Sequence, residues 1–169
     1  MLAGVALLVV VWGGAGCTGE ARDGAPATEE KPDGDALAGE EVDAEVLLRE
    51  TASGVRDHRR AILRSQVGWK AFWEEVHALR TPVPEAPPVD FDERIVVVAA
   101  MGERPTGGHS VAVEDVKPSE EGYLVVVREV SPGEGCVVTQ ALTQPVTAVA
   151  LRNGEREVRF KEKTSEGVC

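Results

Sequence analysis

The sequence predicts an α+β fold: a mainly antiparallel β-sheet or small sandwich of about seven strands, with one amphipathic helix packed on it. Three observations carry this. The apolar content of 43% comes mostly from Val and Ala, and only 4% of residues are aromatic, a composition suited to pleated sheets. Short β-branched runs recur along the chain, split by Gly- and Pro-rich turns. One stretch alone, from Ser65 to Leu79, has clear helical spacing of apolar residues. The 169 residues suffice for one domain.

The first sixteen residues, Met1–Gly16, carry no charged side chain. Their apolar run, Leu2–Trp12, has the length of a signal-peptide core. It is shorter than the roughly 20 residues a spanning helix needs. Gly14-Ala15-Gly16-Cys17 resembles the lipobox of bacterial lipoproteins, in which the Cys becomes acylated. Residues 1–16 are therefore read as a signal peptide and Cys17 as a lipid-carrying (palmitate-type) first residue. The expected location is the bacterial cell envelope, with membrane contact through the lipid. Thr18, in place of Asp, is compatible with the outer membrane of a Gram-negative cell.

Residues 17–45 are read as an anchored, disordered linker. Thr18–Glu45 holds ten acidic and two basic residues among Gly, Ala and Pro, too few apolar groups to offset the entropy of ordering. The whole chain has a net charge of −11, and most of it lies in this linker. The domain, residues 46–169, is close to neutral. Nucleic acid and an anionic membrane surface are poor direct partners for such a chain.

Within the domain, Val46–Glu50 reads as an edge strand and Ser53–Arg60 as a polar turn region. Ala61–Arg64 is a second short strand. Ser65 caps the helix, and Trp69, Phe72, Trp73, Val76 and Leu79 share one face, while Lys70, Glu74 and Glu75 face away. Thr81–Val89, with Pro82, Pro84, Pro87 and Pro88, is an extended connector. The continuous run Ile95–Ala100 predicts a central strand buried on both faces. Ser110–Val116 and Tyr123–Val130 form a hairpin across Lys117–Gly122. Val137–Thr139 and Thr147–Leu151 read as further strands. Asn153-Gly154 is a two-residue turn signal, predicted to join Ala148–Arg152 to Arg156–Lys161 as a hairpin.

With Cys17 acylated, Cys136 and Cys169 remain. In an oxidising compartment an isolated pair is most simply a disulfide. The alternative, a metal or redox role, lacks a CxxC motif or a His/Cys cluster.

No HExxH, GxSxG, phosphate-binding loop or GxGxxG occurs. Ser53, Asp57 and His58 form a catalytic triad only on paper. His77 is expected on the surface or partly packed. Gly107 and Gly108 suit either a small anion nest or a turn with positive φ. Asp90, Asp92 and Glu93 lack a full cation-loop pattern and read as a solvated turn. The expectation is no catalytic residue, no metal and no cofactor.

Two segments stand out: Gly102-Glu103-Arg104-Pro105-Thr106-Gly107-Gly108-His109-Ser110-Val111, and Gly135-Cys136-Val137-Val138-Thr139-Gln140-Ala141-Leu142-Thr143-Gln144-Pro145. Together they resemble the PrcB family, described as subunits of a bacterial surface protease complex. The Trp69–Trp73 helix and the Phe91-Asp92-Glu93 strand entry fit the same pattern. The chain departs at His109 and Val146, where the family tends to have Tyr. The resemblance, covering residues 46–169, implies a non-catalytic envelope lipoprotein that assists or stabilises a partner protease. The candidate contact surface is the loop Arg104, Pro105, Thr106, Gly107, Gly108 and His109, together with Thr139, Gln140, Thr143, Gln144 and Pro145. Two other readings fit the residues: a protease-inhibitor-like β module, and a small-ligand or metal binder. Polar, Gly/Pro-shaped loops on a rigid scaffold are where binding residues concentrate.

Overall fold

The computed structural model describes residues 42–152 and 157–168. The signal segment, Cys17, nearly all of the acidic linker and Cys169 lie outside the described residues. Within them the order is β1 (Ala44–Glu50), β2 (His58–Leu63), α1 (Gln66–Val76), β3 (Arg94–Met101), β4 (Ser110–Ser119), β5 (Gly122–Pro132), β6 (Val146–Arg152) and β7 (Glu157–Gly167). The α+β reading stands, with seven strands and one short helix. β1 begins at Ala44, two residues upstream of the expected domain start. Asp43 and Glu45 both pair with Arg94 at the head of β3.

Two sheets form. The first has the order β1-β6-β3-β2 with every neighbour antiparallel. The second has the order β4-β5-β7. There β4 and β5 are antiparallel, but β5 and β7 run parallel.

The run Ile95–Ala100 explains the layering. Side chains alternate across a strand, and here both sets are apolar. Val96, Val98 and Ala100 join a core with Trp69, Phe72, Trp73 and Val76 of α1. Ile95, Val97, Ala99 and Met101 join a second core with Val111, Tyr123, Val125 and Val127 of the other sheet. β6 repeats the pattern, with Val146, Ala148 and Ala150 toward the helix and Val149 and Leu151 toward the second sheet. The result is three layers, helix on sheet on sheet, with β3 and β6 shared by both cores. No helix among the described residues is long and apolar enough to cross a membrane.

The helix opens as expected. The Ser65 hydroxyl accepts from the Gly68 N–H at 3.2 Å. It closes earlier than expected, at Val76, and Leu79 is 72% exposed rather than part of the buried stripe. His77 is also corrected, being buried at 2%. Its Nδ1 lies 2.9 Å from the Trp73 carbonyl oxygen and its ring packs 4.3 Å from the Trp73 ring. The Pro-rich connector is extended, and it supplies acceptors. The indole N–H of Trp69 donates to Pro87 O at 3.0 Å, and that of Trp73 to Pro84 O at 2.8 Å.

Two strand assignments change. Val137–Thr139 is not a strand; Val137 is wholly exposed. The predicted β6–β7 hairpin is absent, and residues 153–156 lie outside the described residues. β6 is buried on both faces and already has β1 and β3 on its two sides. β7 instead has a one-faced pattern, with Val158 and Phe160 packed on the second core and Arg159 and Lys161 outward. That pattern suits an edge, so the chain changes sheets between β6 and β7.

Candidate interaction site

The two motif segments meet. Beyond Met101, whose N–H donates to Pro145 O at 2.9 Å, the chain leaves β3 and runs antiparallel to Thr143 through one isolated bridge. Arg104 N–H donates to Thr143 O at 2.7 Å, and Thr143 N–H returns to Arg104 O at 3.0 Å. The Thr143 hydroxyl donates to Thr106 O at 2.8 Å. Gly107 N–H donates to Thr139 O at 2.9 Å.

Two glycines in a row are needed there for different reasons. A Cβ on Gly107 would stand 2.3 Å from Thr139 Oγ1, so the first is required by close approach. Gly108 has φ of +82° and would meet Val138 and Pro132, so the second is required by conformation as well. The Gly107 amide is spent on Thr139, so it is not turned outward as an anion nest would need.

The predicted residues divide into two groups. Gln144 and Pro145 are buried and act as anchors. Gln144 N–H donates to Thr51 O at 2.9 Å, its side-chain amide donates to Glu103 Oε2 at 3.2 Å, and its carbonyl accepts from Ser53 Oγ at 2.8 Å. Thr143 and Gly107 belong with them by their hydrogen bonds. Pro105, Gly108, Thr139 and Gln140 are exposed, and Arg104, Thr106 and His109 are half-buried. These form the presentable face. Sequence reasoning missed one exposed apolar residue at this site, Leu142, 61% exposed and next in the chain to Thr143. Leu142 falls between the predicted strands Val137–Thr139 and Thr147–Leu151; an apolar residue between Gly135 and Pro145 that belongs to no strand is the available signal.

Two buried nitrogens on this face, Arg104 Nε and His109 Nδ1, have no hydrogen-bond partner among the described residues. His109 Nε2 lies 3.5 Å from Thr106 Oγ1, a weak contact at best. Burial first, and then the nearby Arg104 charge, hold the His109 pKa below its ordinary 6.5, so the ring is neutral at pH 7.

The other candidates serve the fold. Ser53 is buried and occupied with Gln144 and the Val55 N–H, while His58 Nε2 contacts Glu129 at 3.0 Å. Asp90 Oδ1 accepts from the Asp92 N–H at 3.0 Å, closing a turn. No group of three or more His, Cys, Asp or Glu side chains suited to a metal occurs among the described residues. Cys136 is half-buried, with its Sγ 4.0 Å from Gly167 O near the end of β7. Its expected partner, Cys169, lies outside the described residues.

Residues 95–152 match the family model for the PrcB C-terminal domain. The match runs from β3 through β6 and takes in both motif segments, a narrower span than the 46–169 of the resemblance. No curated protein and no solved structure matches the chain.

Proposed function

We propose, from the match of residues 95–152 to the family model of the PrcB C-terminal domain, that this chain is a non-catalytic, lipid-anchored protein of the bacterial cell envelope. Its domain binds an envelope protein and assists or stabilises a partner protease. The single observation that carries this is the Arg104–Thr143 bridge, which ties the two family motifs into one surface. Anchors behind that surface are buried, and its outward members are mostly polar residues, with exposed Leu142 beside Thr143. Such a mixture on a rigid base is typical of a contact patch.

Cys17 is the lipid attachment point in this reading, and the acidic residues 17–45 are the tether. Cys136 and Cys169 form a disulfide that pins the chain end. The parallel register supports this, since it sets Gly167 opposite Pro132, four residues before Cys136.

The test is a pull-down from envelope membranes with the lipidated full chain, followed by protease assays on what is retained. Recovery of a protease whose activity or lifetime rises with the chain is the expected result. Stoichiometric loss of protease activity would favour the inhibitor reading instead. Absence of a reproducible partner would defeat both.

A further inference from the structure

Arg104 is unusual among the partly buried arginines of the described residues. Arg59, Arg60, Arg94 and Arg128 each pair with a carboxylate. Arg104 pairs with none among the described residues, although it is half-buried and its Nε is orphaned. A half-buried guanidinium without a counter-ion is costly, because burial removes water without supplying a replacement. The fold nevertheless holds it in place: its backbone is bonded twice to Thr143. Neutral His109 beside it supplies no counter-charge, and its own Nδ1 is orphaned too.

We propose that Arg104 is the anchor for an acidic side chain of the partner protein, which docks its carboxylate on the guanidinium and lays an apolar neighbour on Leu142, beside Thr143. Arg104 Nε is sealed in the fold, and the two terminal Nη groups can donate to a carboxylate in a bidentate geometry. A free anion is the poorer occupant on two counts. The Gly107 amide that would cradle it is already bonded to Thr139. The exposed Leu142 gains nothing from a solvated ion but is covered by a polypeptide. The proposal rests on the reading of this loop pair as a contact surface and adds the chemistry of what it contacts.

The test selects dodecapeptides from a random phage library on the immobilised full chain, then measures the affinity of the recovered peptides. Recovered peptides are expected to carry Glu or Asp flanked by apolar residues. Arg104→Gln should weaken them by about tenfold or more, and Glu-to-Gln change in the peptide should do the same. Leu142→Ser, which removes the apolar side chain at an exposed position without adding a charge beside Arg104, should also weaken them. It provides a readout if Arg104→Gln proves unstable by thermal melting. Peptides that lose affinity on Leu142→Ser but need no acidic residue would overturn the carboxylate anchor and leave the contact surface standing. Peptides indifferent to both changes, or no peptides at all, would overturn both. Acetate or succinate binding as tightly as the peptides would overturn the polypeptide source.

Discussion

At the scale of single residues, the motif loop shows how little of a signature is contact and how much is construction. Gly107 is defined by what stands in front of it. Gly107→Ala should cost about 1–3 kcal/mol, because a Cβ 2.3 Å from Thr139 Oγ1 forces the loops apart. Thr139→Ala removes that oxygen, so the double variant should recover most of the loss. Urea unfolding of the four proteins in a double-mutant cycle measures the coupling, and additive losses would refute the contact as the cause. His109 gives a second prediction. Its folded pKa lies below 6.5 through burial and then through Arg104. The unfolded chain therefore binds the proton first as pH falls, and stability drops as pH goes from 6.5 down through the folded pKa. An imidazole NMR titration should show a midpoint below 6.5. Arg104→Gln should move that midpoint upward while burial keeps it under 6.5. An unmoved midpoint would show that the two groups do not interact. The sequence exposed the glycines and the histidine as candidates, but burial of Gln144 and orphaning of the Arg104 nitrogen arise from chain segments far away and had no local signal.

At the scale of elements, local chemistry set beginnings and tertiary contacts set ends. The start of α1 was legible in Ser65 and the Trp69–Trp73 stripe. Its end was not, because the Val76 carbonyl is taken at 3.0 Å by the N–H of Gly54, from the segment before β2. Helical periodicity carries on to Leu79, but the backbone partner that stops the helix is twenty-two residues upstream in sequence. The edge of β2 offers a similar lesson. Arg60 lies within one strand of the first sheet yet donates to Glu129 of β5 at 2.6 Å and to Glu162 of β7 at 2.8 Å, and to Ala100 O at 2.9 Å. It staples the two sheets where their edges meet. With only 11% of its side chain exposed, Arg60→Met should cost about 2–4 kcal/mol, since the largely buried Glu129 loses its guanidinium and keeps only the His58 contact. Arg60→Lys should not restore the loss, because one ammonium cannot span three acceptors. Thermal unfolding of both variants checks this, and a loss below about 0.5 kcal/mol would mean the staple is ornamental.

At the scale of the whole molecule, the composition announced the sheet content but not the path between sheets. Asn153-Gly154 is a strong local hairpin signal, and it was outweighed by burial. A strand apolar on both faces needs a neighbour on each side and a cover on each face; β6 has all four without β7. β7 then completes the second sheet beside β5, and because it returns from the other sheet it arrives parallel. The register makes this testable. Leu124 stands opposite Arg159 and Arg128 opposite Lys163. Cysteines placed at Arg128 and Lys163 should oxidise to a bridge, and so, in a separate variant, should cysteines at Leu124 and Arg159. Only a parallel pair allows both. If β7 ran antiparallel with Arg128 facing Lys163, positions 124 and 159 would be separated by eight residues of strand, roughly 26 Å at about 3.3 Å per residue, far beyond the span of a disulfide. Both bridges forming, with the native stability of each oxidised variant preserved or raised, establishes the parallel pair. One bridge without the other would return β7 to an antiparallel course, and with it the sheet-changing path that leaves β6 buried at the centre of the fold.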